Sequence, residues 1–128
     1  MKGKKGTKHL KVGALGERIA CEYLESRGFV CLEMNHHSRY GEIDLIMEKN
    51  TRVHFVEVKA RKQNTQSSMH PKDNLTHRKL TRFARAVEHY VNTHDVHSYQ
   101  MDAVTVVIDE ENRRAEVEYF ELISPHWV

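Results

Sequence analysis

Asp44, Glu57 and Lys59 are the residues of this 128-residue chain whose types and spacing could do chemistry. They stand inside two largely apolar runs, 41–46 and 53–60, which read as strands, where burying a charge is costly. Side chains alternate along a strand, so Glu57 and Lys59 share a face with Phe55 and Arg61, while Asp44 shares one with Ile46. A short turn near Asn50 makes the two runs hairpin partners and Asp44 and Glu57 neighbours. Adjoining carboxylates repel, and one must take up a proton or find a cation. Hard oxygen ligands with no thiolate nearby point to Mg²⁺ or Mn²⁺, which keep positions for water and phosphate. Lys59 could orient an attacking water or offset charge on a phosphate. A lone Glu-x-Lys is more simply an ion pair on a solvated strand face; its combination with the Asp44 run favours the metal site.

Glu17 lies among Gly13, Ala14, Gly16, Ala20 and Cys21 in a segment of helical periodicity. Small residues let a helix approach a sheet closely, which would bring Glu17 towards the carboxylates. Without those small neighbours an exposed helix glutamate would be the better reading.

These residues need elements to position them. Leu15, Ile19 and Tyr23 predict a helix from about His9 to Arg27, after a basic, flexible tail over residues 1–8. Phe29–Met34 predicts a strand, Asn35–Ser38 a polar connection, Glu42–Glu48 a strand, Lys49–Thr51 a turn and Arg52–Ala60 a strand, pairing as an antiparallel meander. Lys62–Asn74 is polar and aperiodic, which predicts a long loop. Leu80, Phe83, Ala84, Val87 and Val91 predict an amphipathic helix, with Arg78, Arg82, Arg85 and His89 on another face. Tyr99–Ile108 and Ala115–Ile123 predict two closing strands around a polar turn. The order α-β-β-β-α-β-β is a mixed α/β layer structure, and the length suits one domain over residues 9–128.

The composition, 39% hydrophobic and 30% charged, excludes disordered and fibrous classes, and no apolar run approaches a membrane span. The basic start lacks a following apolar segment, so a cytoplasmic protein is expected. Cys21 and Cys31 form no Cys-x-x-Cys pair and read as buried thiols. The ten histidines lack cysteine partners and read as surface polar groups, and Asp102 as a strand-end aspartate or a support for the site. The net charge of +2 is unevenly spread, basic at the start and across 52–85, acidic over 109–121, which suggests a basic face for a polyanion.

Taken together, Gly13-x-x-Gly16-Glu17, Gly41-Glu-Ile-Asp44 and Val56-Glu-Val-Lys-x-Arg61 resemble the bacterial YraN-like family of predicted endonucleases. That family is similar to archaeal Holliday junction resolvases and belongs among the restriction-endonuclease-like PD-(D/E)XK nucleases; the resemblance covers about residues 9–123. It implies a central mixed sheet flanked by helices, Asp44 and Glu57 as metal ligands with the Val58 carbonyl, Lys59 as the catalytic lysine and Glu17 as the helix acid completing the site. Glu42 is expected beside the ligands, supporting them or a second ion. The chain departs from the family in having no glycine over Lys62–Met69, where loop conformation bears on substrate fit. The implied activity is metal-dependent hydrolysis of phosphodiester bonds in DNA rather than RNA, on branched or structured substrates, and the resolvase likeness points to a homodimer. Arg61, Arg78, Lys79, Arg82 and Arg85 are candidate phosphate contacts, and Arg39 and Tyr40 read equally as nucleic-acid contacts or ordinary strand-edge residues. The competing readings are a nucleic-acid-binding module of the same fold that does not cut, and a protein-interaction subunit whose acids form an ion-pair cluster.

Overall fold

The computed structural model describes residues 4–63, 72, 75–121 and 123, with side chains from residue 12 onward. Its elements are α1 (Lys4–Glu25), β1 (Val30–Ser38), β2 (Gly41–Lys49), β3 (Arg52–Lys62), α2 (His77–His94), β4 (Tyr99–Asp109) and β5 (Arg114–Phe120). This is the expected α-β-β-β-α-β-β order, a five-stranded mixed sheet with two helices.

The strands lie in chain order, β1-β2-β3-β4-β5. All neighbours pair antiparallel except β3 and β4, which are parallel because α2 carries the chain back across the sheet between them. The β2–β3 connection is tight because Asn50 and Thr51 both adopt positive φ, 52° and 64°, as a two-residue hairpin turn requires.

The two helices cover opposite faces. On one, Ala20 and Leu24 of α1 pack with Leu45, Met47, Val56, Val58, Val104 and Val106. On the other, Leu80, Phe83 and Val87 of α2 pack with Ile43, Ile46, Phe55 and Ala103. Helix α2 starts where Thr76 caps it by accepting from the Lys79 N–H, and stops where Asp95 turns left-handed at φ 55°. Alternation along β3 therefore sends Val56 and Val58 towards α1, and Phe55, Glu57 and Lys59 towards α2.

Four boundaries depart from the sequence reading. Helix α1 begins at Lys4, within the expected tail, since lysine is a good helix former and propagation adds a bond per residue. Strand β1 runs on through the expected connection Asn35–Ser38, because pairing with β2 (His36 with Ile43, His37 with Glu42) defines the strand, and an edge strand tolerates polar side chains. It does so irregularly, with a register shift between Cys31 and Glu33 and Asn35 at φ 55°. Strand β3 extends to Lys62, and β5 stops at Phe120, short of Ile123. Most of the expected loop after Lys62, residues 64–71, 73 and 74, lies outside the described residues. Cys21 is buried and Cys31 half-buried, both as free thiols. Among the described residues no helix is long and apolar enough to cross a membrane.

Candidate functional site

Glycines set the walls of the site. A Cβ on Gly16 would collide with the Ala60 side chain, so α1 crosses β3 with nothing between them. Gly13, expected to act likewise, has nothing within 4 Å of such a Cβ and lines the mouth of the cleft instead. Gly41 opens β2 at φ 141°, a conformation that disfavours side chains, after a turn in which the Ser38 hydroxyl donates to the Gly41 carbonyl at 3.2 Å.

The pairing of β2 with β3 runs from Lys49–Arg52 to Leu45–Val56, and at the next position stand Asp44 and Glu57. Here a side chain takes over from the ladder. The Val58 backbone N–H donates to Asp44 Oδ2 at 2.7 Å, so the carboxylate stands where a carbonyl of β2 would otherwise accept. In an extended strand a residue's N–H and C=O lie along the same edge, which turns the Val58 carbonyl into the same gap.

The gap opens into a cleft of about 550 Å³. Four carboxylates, Glu17, Glu42, Asp44 and Glu57, line it, against the cations Lys59, Lys79 and Arg82. Asp44 is buried, and Glu57 and Glu17 are half-buried. Burial, then the hydrogen bond and negative charge of Asp44, push the Glu57 carboxyl up to about 9, while Lys59 and Lys79 pull it back. Burial and the charge of Asp44 raise Glu17 to about 6, opposed by a hydrogen bond from the Asn35 side chain. Glu42 is exposed, pairs with His37 at 3.1 Å and adds its charge to the pressure on Glu17.

Glu17, Asp44, Glu57, Lys59, Val58 and Glu42 thus line one cleft. Among the described residues no three or more His, Cys, Asp or Glu side chains form a ready cage for a metal ion. Mg²⁺ does not require one: it binds through one or two carboxylates and fills its remaining positions with water and phosphate oxygens. Asp44, Glu57 and the Val58 carbonyl are an all-oxygen set of that kind, and a carboxylate pair held together against its own repulsion fits a divalent cation.

A second hollow of about 630 Å³ shares Arg82 with the cleft. Arg39, Tyr40, Arg78 and Arg85 line it, together with His77 and Thr81, and no lining residue is acidic. The Arg39 guanidinium sits 5.0 Å from the centroid of the Tyr40 ring and donates to its hydroxyl at 2.8 Å, while Tyr40 also packs against His89. Arg61 lies apart from both hollows, donating to the Lys62 carbonyl at 3.1 Å.

One residue of the site, Asn35, carries no expectation from the sequence, and another, Lys79, has a neighbour that the sequence does not reveal. Lys79 was expected only as a phosphate contact, yet from the first turn of α2 it reaches the neighbourhood of Glu57. Asn35 fell in the expected connection, and its only sequence signal is that asparagine tolerates the left-handed conformation it adopts. Asp102 is not at this site: it is fully buried mid-sheet in β4 and held by His54, itself buried rather than on the surface.

Residues 16–106 match the family described as "Uncharacterised protein family UPF0102". Among similar proteins, a UPF0102 protein of Campylobacter lari is 37% identical over 99 residues, covering 77% of this chain and 85% of that protein. One from Campylobacter jejuni subsp. jejuni is 35% identical over 105 residues, covering 81% and 90%. Another, from Campylobacter hominis, is 37% identical over 86 residues, covering 67% and 73%.

Proposed function

Because this chain belongs to the UPF0102 family, whose name states no activity, we propose its function from the cleft: a Mg²⁺- or Mn²⁺-dependent endonuclease of the PD-(D/E)XK class, acting on DNA. The observation that carries the reading is the contact of Asp44 with Glu57 where β2 and β3 part, with Lys59 one strand step away. A carboxylate pair of this kind is unfavourable for the protein alone and suited to a divalent cation.

Asp44 is fixed by the Val58 N–H, so its second oxygen is held in place for a ligand. The Glu57 carboxyl, pushed up by burial and by Asp44, is the one from which a bound cation would displace a proton. A Mg²⁺ or Mn²⁺ ion held by Asp44, Glu57 and the Val58 carbonyl would supply Lewis-acid stabilisation of phosphoryl oxygens and an acidified water. Lys59 lies on the face of Glu57 and donates to the attacking water or to a phosphoryl oxygen as charge builds there. Glu17, with its raised carboxyl, can hold or pass a proton at the rim. Lys79 and Arg82 meet the scissile phosphate, and Arg39, Arg78 and Arg85 take flanking backbone, with Tyr40 offering a ring for a base. The hydrolysis adds water across one P–O bond, the leaving oxygen taking the proton. Branched or structured DNA and a homodimer making paired cuts complete the proposal, from the resolvase resemblance.

A nucleic-acid-binding module that does not cut is the second reading, favoured by the basic hollow, which needs none of the carboxylates to bind phosphate. Labelled linear, nicked, flapped and four-way-junction DNA, incubated with Mg²⁺ or Mn²⁺, separates the two. Metal-dependent cutting lost in both Glu57→Ala and Lys59→Ala is the expected result. Equal DNA binding by all three proteins with no cutting of any substrate would leave the binding module.

A further inference from the structure

The other end of the sheet carries a second polar centre that the nuclease reading does not use. Asp102 is fully buried, and burying a carboxylate is costly unless every oxygen is satisfied. His54 Nδ1 lies 2.7 Å and the Tyr119 hydroxyl 2.6 Å from its Oδ2, and the Gln100 amide donates to its Oδ1 at 2.8 Å. A carboxylate only accepts, so Nδ1 carries the hydrogen, and the other ring nitrogen donates to an anion only when it too is protonated. Gln100 passes the order outward: its amide oxygen accepts from Arg52 at 3.0 Å, and the Ser98 hydroxyl accepts from the same guanidinium at 3.2 Å.

His54, Tyr119, Gln100 and Arg52 border a hollow of about 570 Å³. Arg52, Lys49 and Arg27 line it with His54 and Gln100, against one carboxylate, Glu121. Two of the cations are steadied by rings, Arg27 over Tyr23 at 4.4 Å and Lys49 over Phe29 at 5.0 Å. Phe29 also meets the His54 ring edge-on at 4.8 Å. The hollow is far from the carboxylate cleft: Lys49 is five residues along β2 from Asp44, about 16 Å of strand. It is also on the other face, since His54 and Val56 alternate with Glu57.

A buried carboxylate, bonded by His54, Tyr119 and Gln100, therefore orients a histidine and, through Gln100, an arginine beside a hollow rimmed by three cations. We propose that this hollow is a second anion site, which takes a phosphate group through Arg52 and Lys49, beside the His54 ring. It stands independently of whether the carboxylate cleft cuts. Phosphate reaches such a site either as a small phosphorylated molecule or as the terminal phosphate of a nucleic-acid strand.

The test is an NMR titration of the full chain, following the His54 ring and Gln100 side-chain amide signals. Inorganic pyrophosphate is added first, then a short oligonucleotide with and without a 5′-phosphate. The expected result is saturable movement of both signals, weakened about tenfold or more in Arg52→Gln or Lys49→Gln, both changes at the rim where the fold is not at stake. Movement by the phosphorylated but not the unphosphorylated strand identifies a nucleic-acid end, and movement by pyrophosphate alone a small molecule. Signals that stay put with every probe, or affinities unchanged in both variants, overturn the site.

Discussion

Replacing Glu57 by glutamine should stabilise the metal-free protein at neutral pH. The folded carboxyl titrates near 9 and the unfolded one near 4.5, so between these values the folded state holds one more proton. Unfolding then releases it, and stability present below the unfolded value is lost as pH rises towards the folded one. One group with this displacement costs about 1.4 kcal/mol per pH unit, or about 3 kcal/mol by pH 7. Water in the open cleft screens part of this, leaving about 1–3 kcal/mol, a sizeable share of a domain's roughly 5–15 kcal/mol. Glutamine has nearly the same shape, and its amide can still donate to Asp44, so the charge is removed without the hydrogen bond. Urea denaturation in the presence of a chelator, from about pH 5 to about pH 8, should show the stability of Glu57→Gln minus that of wild type growing with pH. Other titrating groups, the ten histidines included, cancel in that difference. With Mg²⁺ in place of chelator the order should reverse, since wild type alone gains about 3 kcal/mol at a hundredfold excess over Kd. A difference that stays flat with pH, or a glutamine variant less stable throughout, would refute the claim that Asp44 and Glu57 are held together against their charge.

Lys59→Ala should lower the cleavage rate about 10²–10³-fold with little loss of DNA affinity, measured by single-turnover cutting beside a binding isotherm. Arg78→Ala and Arg85→Ala should each weaken DNA binding and flatten the dependence of log K on log salt by about 0.9 for each phosphate no longer neutralised, readable by fluorescence anisotropy at several salt concentrations. Gly16→Ala should cost about 1–3 kcal/mol because its methyl meets Ala60, whereas Gly13→Ala, with open space and better helix propensity, should gain up to about 1 kcal/mol; paired urea melts check both.

The fold was legible wherever local chemistry dictated it. The β2–β3 hairpin follows from two apolar runs around a turn, and its register brings Asp44 to Glu57 with no knowledge of the rest. Gly16 was readable as a close approach because its small neighbours share its helical face, but Gly13 was not separable from it by sequence. The second half of β1 escaped because Asn35, His36, His37 and Ser38 are strand residues only by virtue of their partner, whose own backbone supplies the ladder. The approach of Lys79 to Glu57 and the part of Asn35 escaped for a related reason: which side chain of α2 or β1 arrives at the cleft depends on how those elements land on the sheet, a matter of tertiary packing. The His54–Asp102 pair spans 48 residues and carries no local pattern at all.

The hydrogen bond from Val58 to Asp44 bears on how loss-of-function genetics should be read in this family. Asp44 is at once a ligand candidate and a stitch in the seam between β2 and β3, so an alanine there removes both together and leaves a buried N–H without its acceptor. A dead Asp44 allele therefore cannot tell a chemical defect from a loosened sheet. Asparagine, which can still accept from that N–H, is the cleaner allele, and phenotypes at Lys59, which makes no such stitch, are the ones to weigh first.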